Sequence, residues 1–498
     1  MRRVSFGSLL TARGLAWVAA AVAAAGVWGC SASSAAPPEK PLDGGVARHA
    51  DARGGDAGVL SDASRAPPRR DASDAGGGRK DGALGGHDAR SHGDAPDDAP
   101  SDGAPTGHDA HDARSPADAA DAADDRREAA AKDAGETCSD GVPVAYTRAA
   151  CLGTPAAVPT ALASAVSSAA VGDVFSLDGL DEGSLPCFPV RVCVPAAAPT
   201  LIFSDDPESP SSDGILYADQ LVAGPYRAYV YHSNAGSALR SFAVVLLNEG
   251  ATTVHATVTG AGVAGPSQDY ILVGKDALSR WLSSMGSAPV ATVDVPPGQR
   301  VLLSSTLAAL EASTNDLVHA ILDFSLDGPV KLSVVSVLPS EDPTTVTASL
   351  PLLPDDGVHA RGTFPGAALE LEATVPLDGA GARHLRLGGG VTDETLQGRD
   401  YVDAKDVTLG GNYGVSYLVR ADVTAATGFF LSPQGGAWGG VLSAGSTPTP
   451  LPTSEDAVAS QTEGIALFAL EGGETASATF LTAGGSSLPV DLVAVPTQ

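Results

Sequence analysis

Two acidic stretches carry enough side-chain oxygens for cation chemistry. One spans residues 204–213 (SDDPESPSSD); the carboxylates of the other are Asp393, Glu394, Asp400, Asp403 and Asp406. Calcium binds about six to eight hard oxygens and tolerates loop geometry. Neither stretch matches an EF-hand or nonapeptide pattern, and charged side chains mostly lie on the solvated surface. We therefore expect no resident metal, and the five carboxylates are the calcium candidates.

Tyr413 and Trp438 lie in two glycine-rich segments, GGNYG and GGAWGG. Neighbouring glycines leave ring faces accessible, and such a face packs well against the C–H side of a sugar while an amide such as Asn412 fixes a hydroxyl. The alternative is that both rings close the ends of a β-sandwich core. The candidate carbohydrate contacts are therefore Asn412, Tyr413 and Trp438.

The N-terminus predicts export. Three early arginines precede an apolar run, Gly14 to Val27, that is shorter than the ~20 residues of a membrane-spanning helix. Val27-Trp28-Gly29-Cys30 resembles the lipobox of bacterial lipoproteins, which implies a signal peptide of residues 1–29 and a lipid-modified Cys30 as the mature N-terminus. An ordinary secretory signal with an incidental cysteine is the alternative. Because Ser31 is not aspartate, the resemblance implies an outer-membrane anchor, on the periplasmic or cell-surface side.

Four further cysteines, Cys138, Cys151, Cys187 and Cys193, lie within a short part of the chain. An even set in an exported protein predicts two disulfides, and four cysteines permit three pairings. We favour Cys138–Cys151 and Cys187–Cys193 because both pairs close short loops. A zinc site is the alternative, but there is no C-x-x-C and no histidine nearby.

Charge excludes some classes of partner. The chain has 30 basic and 59 acidic side chains and a net charge of −29. Nothing resembles the basic stripe that binding of nucleic acid requires. No nucleotide-binding loop is present either, because Gly274-Lys275 is followed by Asp276 and lacks the earlier glycine. The predicted partners are a membrane, reached through the lipid anchor, and an envelope polysaccharide or protein; no cofactor is expected.

Residues 30–136 predict a disordered tether. From Ser31 to about Glu136 there is no Phe, Tyr or Trp, and the sequence consists mainly of Asp, Ala, Gly, Pro, Arg and His. Such a segment buries too little apolar area to offset chain entropy. A flexible chain of this length has a mean reach of roughly 55–60 Å. The tether would hold a folded body clear of the lipid head groups.

The rest of the chain predicts a mostly β fold. Short β-rich runs alternate with turn residues from about residue 200 onward, which is typical of β-sandwiches. A Pro-rich acidic break at residues 351–357 divides them into two tandem sandwich-like modules, 200–350 and 358–498, after a disulfide-linked segment, 137–199. One helix is predicted from an Asp276 N-cap to Met285. Asp327-Gly328 and Glu471-Gly472-Gly473 predict hairpin turns.

Several segments follow one another in a characteristic order. They are PYRAYVYHSNAGSALRSFAVVLLNEG, GPSQDYILVGKDALSRWL and VPPGQRVLL in the first module, and RGTFPGAALELEATVPL, GGNYGVSYLV and PQGGAWGG in the second. These segments and their order resemble those of secreted bacterial β-sandwich proteins of unestablished activity. Many members of that group carry a separate copper amine oxidase N-terminal, stalk-like domain, which we do not find here. The resemblance implies architecture and export and attaches no reaction.

Catalytic motifs are missing from the sequence. There is no G-x-S-x-G nucleophile elbow and no H-E-x-x-H. Asn412-Tyr413-Gly414 lacks the acidic third residue of the motif in which copper amine oxidases build their quinone, and the body offers only scattered histidines for copper. We therefore expect no enzyme, but a lipid-anchored envelope or surface protein that presents β-sandwich modules for a binding or structural role. The alternative is a carbohydrate-active or other hydrolytic enzyme whose site the sequence does not reveal.

Overall fold

The computed structural model describes residues 141–143, 156–187, 190–286, 288–373, 377–389, 393–444, 447–459 and 461–497. The predictions for the signal peptide, Cys30, the tether, Cys138 and Cys151 lie outside these residues. None of the described helices is long and apolar enough to cross a membrane. The prediction of a mostly β fold is confirmed.

The structure contains strands β1 to β24 and helices α1 to α4. The first twelve strands are β1 Gly141–Pro143, β2 Val174–Ser176, β3 Val190–Pro195, β4 Thr200–Ser204, β5 Gly214–Leu221, β6 Gly224–Ser233, β7 Ser241–Leu247, β8 Val254–Ser267, β9 Ala291–Val295, β10 Arg300–Leu302, β11 Leu317–Leu326 and β12 Val330–Val337. The others are β13 Arg361–Phe364, β14 Ala368–Ala373, β15 Arg383–Leu387, β16 Gln397–Asp400, β17 Lys405–Thr408, β18 Ser416–Asp422, β19 Thr427–Pro433, β20 Gly440–Ser443, β21 Pro448–Leu451, β22 Glu463–Leu470, β23 Thr475–Thr482 and β24 Val490–Pro496. The helices are α1 Thr160–Ser168, α2 Tyr270–Ser284, α3 Ser305–Ala308 and α4 Pro343–Val346, and short 3₁₀ turns occupy Glu182–Ser184 and Gly410–Asn412.

Strands β5 to β12 form a jelly roll, which we call roll 1. Its first sheet, sheet I, has the order β10-β7-β12-β5, and its second is the β6-β11-β8-β9 part of the eight-stranded sheet II. Every connection except the one from β8 to β9 crosses between the two sheets. Two four-stranded sheets with this strand order define the jelly-roll topology.

The second half of the chain repeats this topology, and we call it roll 2. The β18-β23-β20-β21 part of the seven-stranded sheet III faces the β15-β24-β19-β22 part of the five-stranded sheet IV. The order matches roll 1 position by position, with β20 to β21 as the connection that stays within one sheet. Rolls 1 and 2 are thus two copies of one fold.

Sheets II and III each combine strands from both sides of the break at residues 351–357. β13 follows the break at residues 351–357 but pairs with β4 in sheet II, and β14 pairs with β3 in sheet III. Two of these strands lie parallel to a strand of a roll. Strand β4 is parallel to β6 of roll 1, and β14 is parallel to β18 of roll 2. The break in the sequence therefore does not coincide with a boundary between sheets.

Both predicted hairpins are wrong. β11 and β12 flank the Asp327-Gly328 turn, yet β11 pairs with β6 and β8 while β12 pairs with β5 and β7. In the same way, β22 and β23 flank the Glu471-Gly472-Gly473 turn and belong to sheets IV and III. Turn residues specify a local reversal of the chain, and they do not specify whether the flanking strands pair.

Helix α2 begins earlier than the Asp276 N-cap that the sequence predicts. Its N-cap is Asp269, whose side chain accepts a hydrogen bond from Leu272 N at 3.1 Å. The helix packs on β8 and β11 of roll 1 and on β20 and β21 of roll 2. Trp281 is its largest buried side chain, and the helix therefore fills the space where the rolls meet.

Candidate functional site

The two described cysteines are both buried. Cys193 lies in β3, and Cys187 lies just before this strand. The favoured pairing joins Cys187 to Cys193 and Cys138 to Cys151; the latter two lie outside the described residues, and the connectivity stays a prediction.

The carbohydrate platform is not supported by the positions of its residues. Trp438 has no exposed surface, and its Nε1 donates to Thr482 Oγ1 at 3.3 Å. Asn412 is also buried. The hydroxyl of Tyr413 donates to the carbonyl of Ser486 at 2.6 Å. Trp438 therefore offers no open ring face, and the amide of Asn412 is already hydrogen-bonded to Asp393, Glu394 and Leu396. The burial of Trp438 and Asn412 agrees with the core-closing alternative, and the carbohydrate contact stays a prediction.

The calcium candidates do not form one set of ligands. Asp393 is buried, where its carboxylate accepts hydrogen bonds from Tyr417 Oη at 2.6 Å and Gly388 N at 2.8 Å. Burial raises the pKa of Asp393. Asp406 instead pairs with Arg399 at the surface, at 3.0 Å. Among the residues that the structure describes, no group of three or more His, Cys, Asp or Glu side chains is arranged to hold a metal.

The two acidic stretches meet at an arginine. Arg361 of β13 is 1% exposed, and its guanidinium lies 3.1 Å from Asp400, 3.0 Å from Asp403 and 3.8 Å from Asp206. It also donates to the carbonyl of Leu216 at 3.0 Å. A buried cation is stable only when it is paired and hydrogen-bonded. The acidic residues therefore compensate Arg361, a role that their pattern in the sequence does not reveal.

Next to Arg361, an acidic cluster comprises Asp205, Asp206, Glu208 and Asp356, joined by His359. His359 Nε2 lies 2.9 Å from Glu208 and its Nδ1 lies 2.7 Å from Asp356. Burial raises the pKa of Glu208 and raises that of Asp205 well above its ordinary value. Burial also disfavours the charged form of Asp356, but hydrogen bonds from His359 and neighbouring backbone amides outweigh it and hold that pKa well below its ordinary value. Convergent carboxylates with shifted pKa values are the feature that a hydrolytic site would have.

The backbone hydrogen bonds of this cluster point to a structural role. Asp356 accepts from the amides of Glu208, Val358 and His359, and Asp206 accepts from the amide of Asp356. These bonds tie the loop after β4 to the break before β13. The cluster thus holds together the two segments that adjoin the paired strands β4 and β13.

A serine and a histidine that could form a catalytic pair are closed off from solvent. Ser204 Oγ lies 2.9 Å from His232 Nε2, and His232 Nδ1 lies 3.0 Å from the carbonyl of Pro207. Because a carbonyl only accepts, Nδ1 carries the proton and Nε2 accepts from the serine hydroxyl. Neither side chain is exposed, and burial lowers the pKa of His232 to about 4. The pair has the geometry of a nucleophile and base without access for a substrate.

His319 of β11 is buried where roll 1 meets helix α2. Its ring centre lies 4.5 Å from that of Tyr229 and 5.5 Å from that of Tyr231. Neither ring nitrogen has a hydrogen-bond partner within the described ranges. Burial lowers the pKa of His319 to about 3, so the side chain is neutral and packs as part of the core.

A second polar cluster, which we call the Asp491 cluster, covers the outer face of sheet IV. It comprises Glu182, His384, Arg386, Gln434 and Asp491. Asp491 is fully buried and accepts from Arg386 Nε at 2.8 Å and from His384 Nδ1 at 3.0 Å. Burial raises the pKa of Glu182 to about 7. This cluster joins the segment between α1 and β3 to roll 2, and no sequence motif indicates it.

Comparisons with known proteins leave the function open. No family model and no curated protein matches the chain. Similar solved structures include a conserved protein of unknown function from Pseudomonas aeruginosa PAO1 (11% identity, covering 65% of this chain and 90% of that one, TM-score 0.12). They also include the PBSX exported protein XepA (13%, 57% and 85%, 0.14) and a Lactobacillus farciminis oxalate decarboxylase in complex with formate (11%, 67% and 89%, 0.12). At these TM-scores the likenesses carry no argument about this chain.

Proposed function

We propose that the protein is a lipid-anchored envelope or surface protein whose two joined jelly rolls serve a binding or structural role, without catalysis of their own. The observation that carries the proposal is the filling of the roll interiors. Between the sheets of roll 1, apolar side chains such as Val244, Leu246, Val318, Leu332 and Val334 have no exposed surface. A ligand would therefore meet the outer faces of the rolls rather than their interiors.

The fate of the reactive side chains supports the same proposal. Ser204 and His232 are closed off from solvent, and in the acidic cluster Asp206 and Asp356 accept hydrogen bonds from backbone amides while Asp206 also lies beside Arg361. The tether and the lipid-modified Cys30 are the other half of the proposal, and they rest on the sequence pattern. Together they describe a rigid body held at a distance from a membrane.

The experiment compares the full chain with a Cys30→Ala variant in a bacterial host that processes lipoproteins. We expect the unmodified chain to sediment with membranes and the variant to be soluble, since removing the thiol removes the acyl anchor. Ser31→Ala is the matched control and keeps the cysteine. Mass spectrometry of the mature N-terminus should show a lipid-modified Cys30.

Two results would count against the proposal. An unmodified mature N-terminus that begins at another residue would remove the anchor. Hydrolysis of an envelope polysaccharide by the chain, with loss of that activity in Glu208→Gln at unchanged thermal stability, would favour the hydrolytic enzyme over the binding protein.

A further inference from the structure

A shallow cavity opens on the outer face of sheet I, the face that turns away from the interior of roll 1. Its volume is about 140 Å³, and it lies between the sheet and the segment that follows α4. A single water needs only about 10–15 Å³ of such space. The cavity is therefore large enough for a small organic molecule.

Two cationic side chains lie at this cavity on either side of one leucine. Leu247 of β7 is directly opposite Arg300 of β10 in one pairing and directly opposite Lys331 of β12 in the other. Neighbouring strands are about 4.8 Å apart, so the two backbones are separated by roughly 10 Å. Side chains at directly opposed positions share a face of the sheet, and both residues line the cavity.

Within the described ranges, these two cations are unusual in having no side-chain partner. Neither Arg300 nor Lys331 makes an ion pair or a side-chain hydrogen bond with any residue that the structure describes. Every other Lys or Arg side chain in those ranges pairs with a carboxylate, except Lys275, which donates to backbone carbonyls. Acidic residues outnumber basic ones by 59 to 30 in this chain. Two unpaired cations beside one cavity are therefore available to an external anion.

The remaining lining sets the character of the ligand. Val245, Leu247, Leu350 and Ile215 supply apolar surface, and Ser333 supplies a hydroxyl that makes no hydrogen bond to any described residue. A fully hydrated inorganic anion would place nothing against the apolar residues. We propose that this cavity binds a small organic carboxylate with an apolar body, its carboxylate held by Arg300 and Lys331. The inference deepens the proposed binding role and rests on it.

The negative charge of the chain does not prevent such binding. Charges separated by more than about 8 Å are largely screened at physiological ionic strength. The two nearby guanidinium and ammonium groups therefore dominate the field inside the cavity, and charge-assisted hydrogen bonds to a carboxylate are stronger than neutral ones.

The test is isothermal titration of the purified full chain with benzoate as the probe, with benzamide and inorganic phosphate in parallel. We expect saturable binding of benzoate, and weaker binding of benzamide, which has the same shape without the charge. Phosphate should also bind more weakly because it gains nothing from the apolar lining. Arg300→Gln and Lys331→Gln should each raise the Kd for benzoate about tenfold.

Arg399→Gln is the matched control, because it removes one cation from the surface of another sheet and should leave the Kd unchanged. Thermal unfolding of all three variants checks that each is folded. The proposal is overturned if benzoate shows no saturable binding, if benzamide binds equally well, or if folded Arg300→Gln and Lys331→Gln bind benzoate like the unmodified chain. Equal or tighter binding of phosphate would overturn the apolar part of the assignment. None of these outcomes alters the membrane experiment on Cys30, so the two proposals fail separately.

Discussion

At the scale of single residues, Glu182 shows how packing changes the chemistry of an ordinary side chain. Burial raises its pKa to about 7, and the negative charge of Asp491 acts in the same direction. Glu182 Oε2 accepts from Gln434 Nε2 at 2.6 Å, while Oε1 is buried without a partner in the described part of the chain. In the folded state the carboxyl therefore holds its proton to a higher pH than it does in the unfolded chain.

This shift in pKa predicts that the free energy of unfolding depends on pH. Because the folded pKa lies above the unfolded value of 4.5, the favourable contribution of Glu182 is complete below that value and is lost as the pH rises through about 7. Glu182→Gln mimics the protonated form, so we expect it to stabilise the protein at about pH 8 by on the order of 2–3 kcal/mol and to have little effect at about pH 4. Urea unfolding at both pH values measures this.

Other charges face the same carboxyl and must be considered in that experiment. Asp491, His384 and Arg386 belong to the cluster, and hydrogen bonds from His384 and Arg386 hold the pKa of Asp491 below its ordinary value despite its burial. Glu471→Gln, in an exposed turn, is the control for simple loss of charge. Identical pH profiles for the two variants would contradict the prediction.

At the scale of elements, the sequence locates most strands and misplaces their partners. The β-rich run from Ser241 to Asn248 predicts a strand and corresponds to β7, and the run from Val330 to Leu338 predicts another and corresponds to β12. The polar sequences of β16 and β17 do not predict strands. Their place in sheet II depends on the neighbouring β13 rather than on their own alternation of polar and apolar residues. Local periodicity reports which residues are extended, whereas pairing depends on distant strands.

The contact between α2 and β8 gives a prediction at this scale. A Cβ at Gly262 would overlap the carbonyl oxygen of Ala277 and lie 2.6 Å from the backbone nitrogen of Trp281. Backbone on both sides leaves no flexible atom to move, so Gly262→Ala should destabilise the protein by about 1–3 kcal/mol. Gly286→Ala is the control, since no atom lies within 4 Å of its Cβ position. Thermal unfolding of both variants tests this, and equal stability would show that α2 shifts freely on the sheet.

At the scale of the whole molecule, charged groups fasten one roll to the other. Arg227 of β6 forms a buried pair with Asp323, at 2.7 Å and 3.0 Å, and donates to the carbonyls of Ala367 and Gly414 beside roll 2, both at 2.9 Å. Arg361 and the pairing of β4 with β13 also join roll 1 to the strands that follow the break. The rolls therefore belong to one compact unit.

This coupling predicts that both rolls unfold together. Differential scanning calorimetry of the full chain should show one transition whose calorimetric and van't Hoff enthalpies agree. Asp323→Asn leaves Arg227 without its charge partner, and breaking such a buried pair costs about 3–5 kcal/mol. We expect it to lower the midpoint without splitting the transition. Two resolved transitions in the unmodified chain would contradict the coupling.

Local composition and periodicity predict the mostly β class and strands such as β7 and β12, because these depend only on residues that are neighbours in the chain. The sequence also predicts the lipid anchor and the tether, which lie outside the described residues. Only the tertiary structure shows that Trp438 is buried and that two acidic stretches compensate Arg361. It also shows that the two turns connect different sheets and that Arg300 and Lys331 flank one cavity. Each of these depends on pairs of residues far apart in the chain, and such pairs leave no signal in the spacing of neighbouring residues.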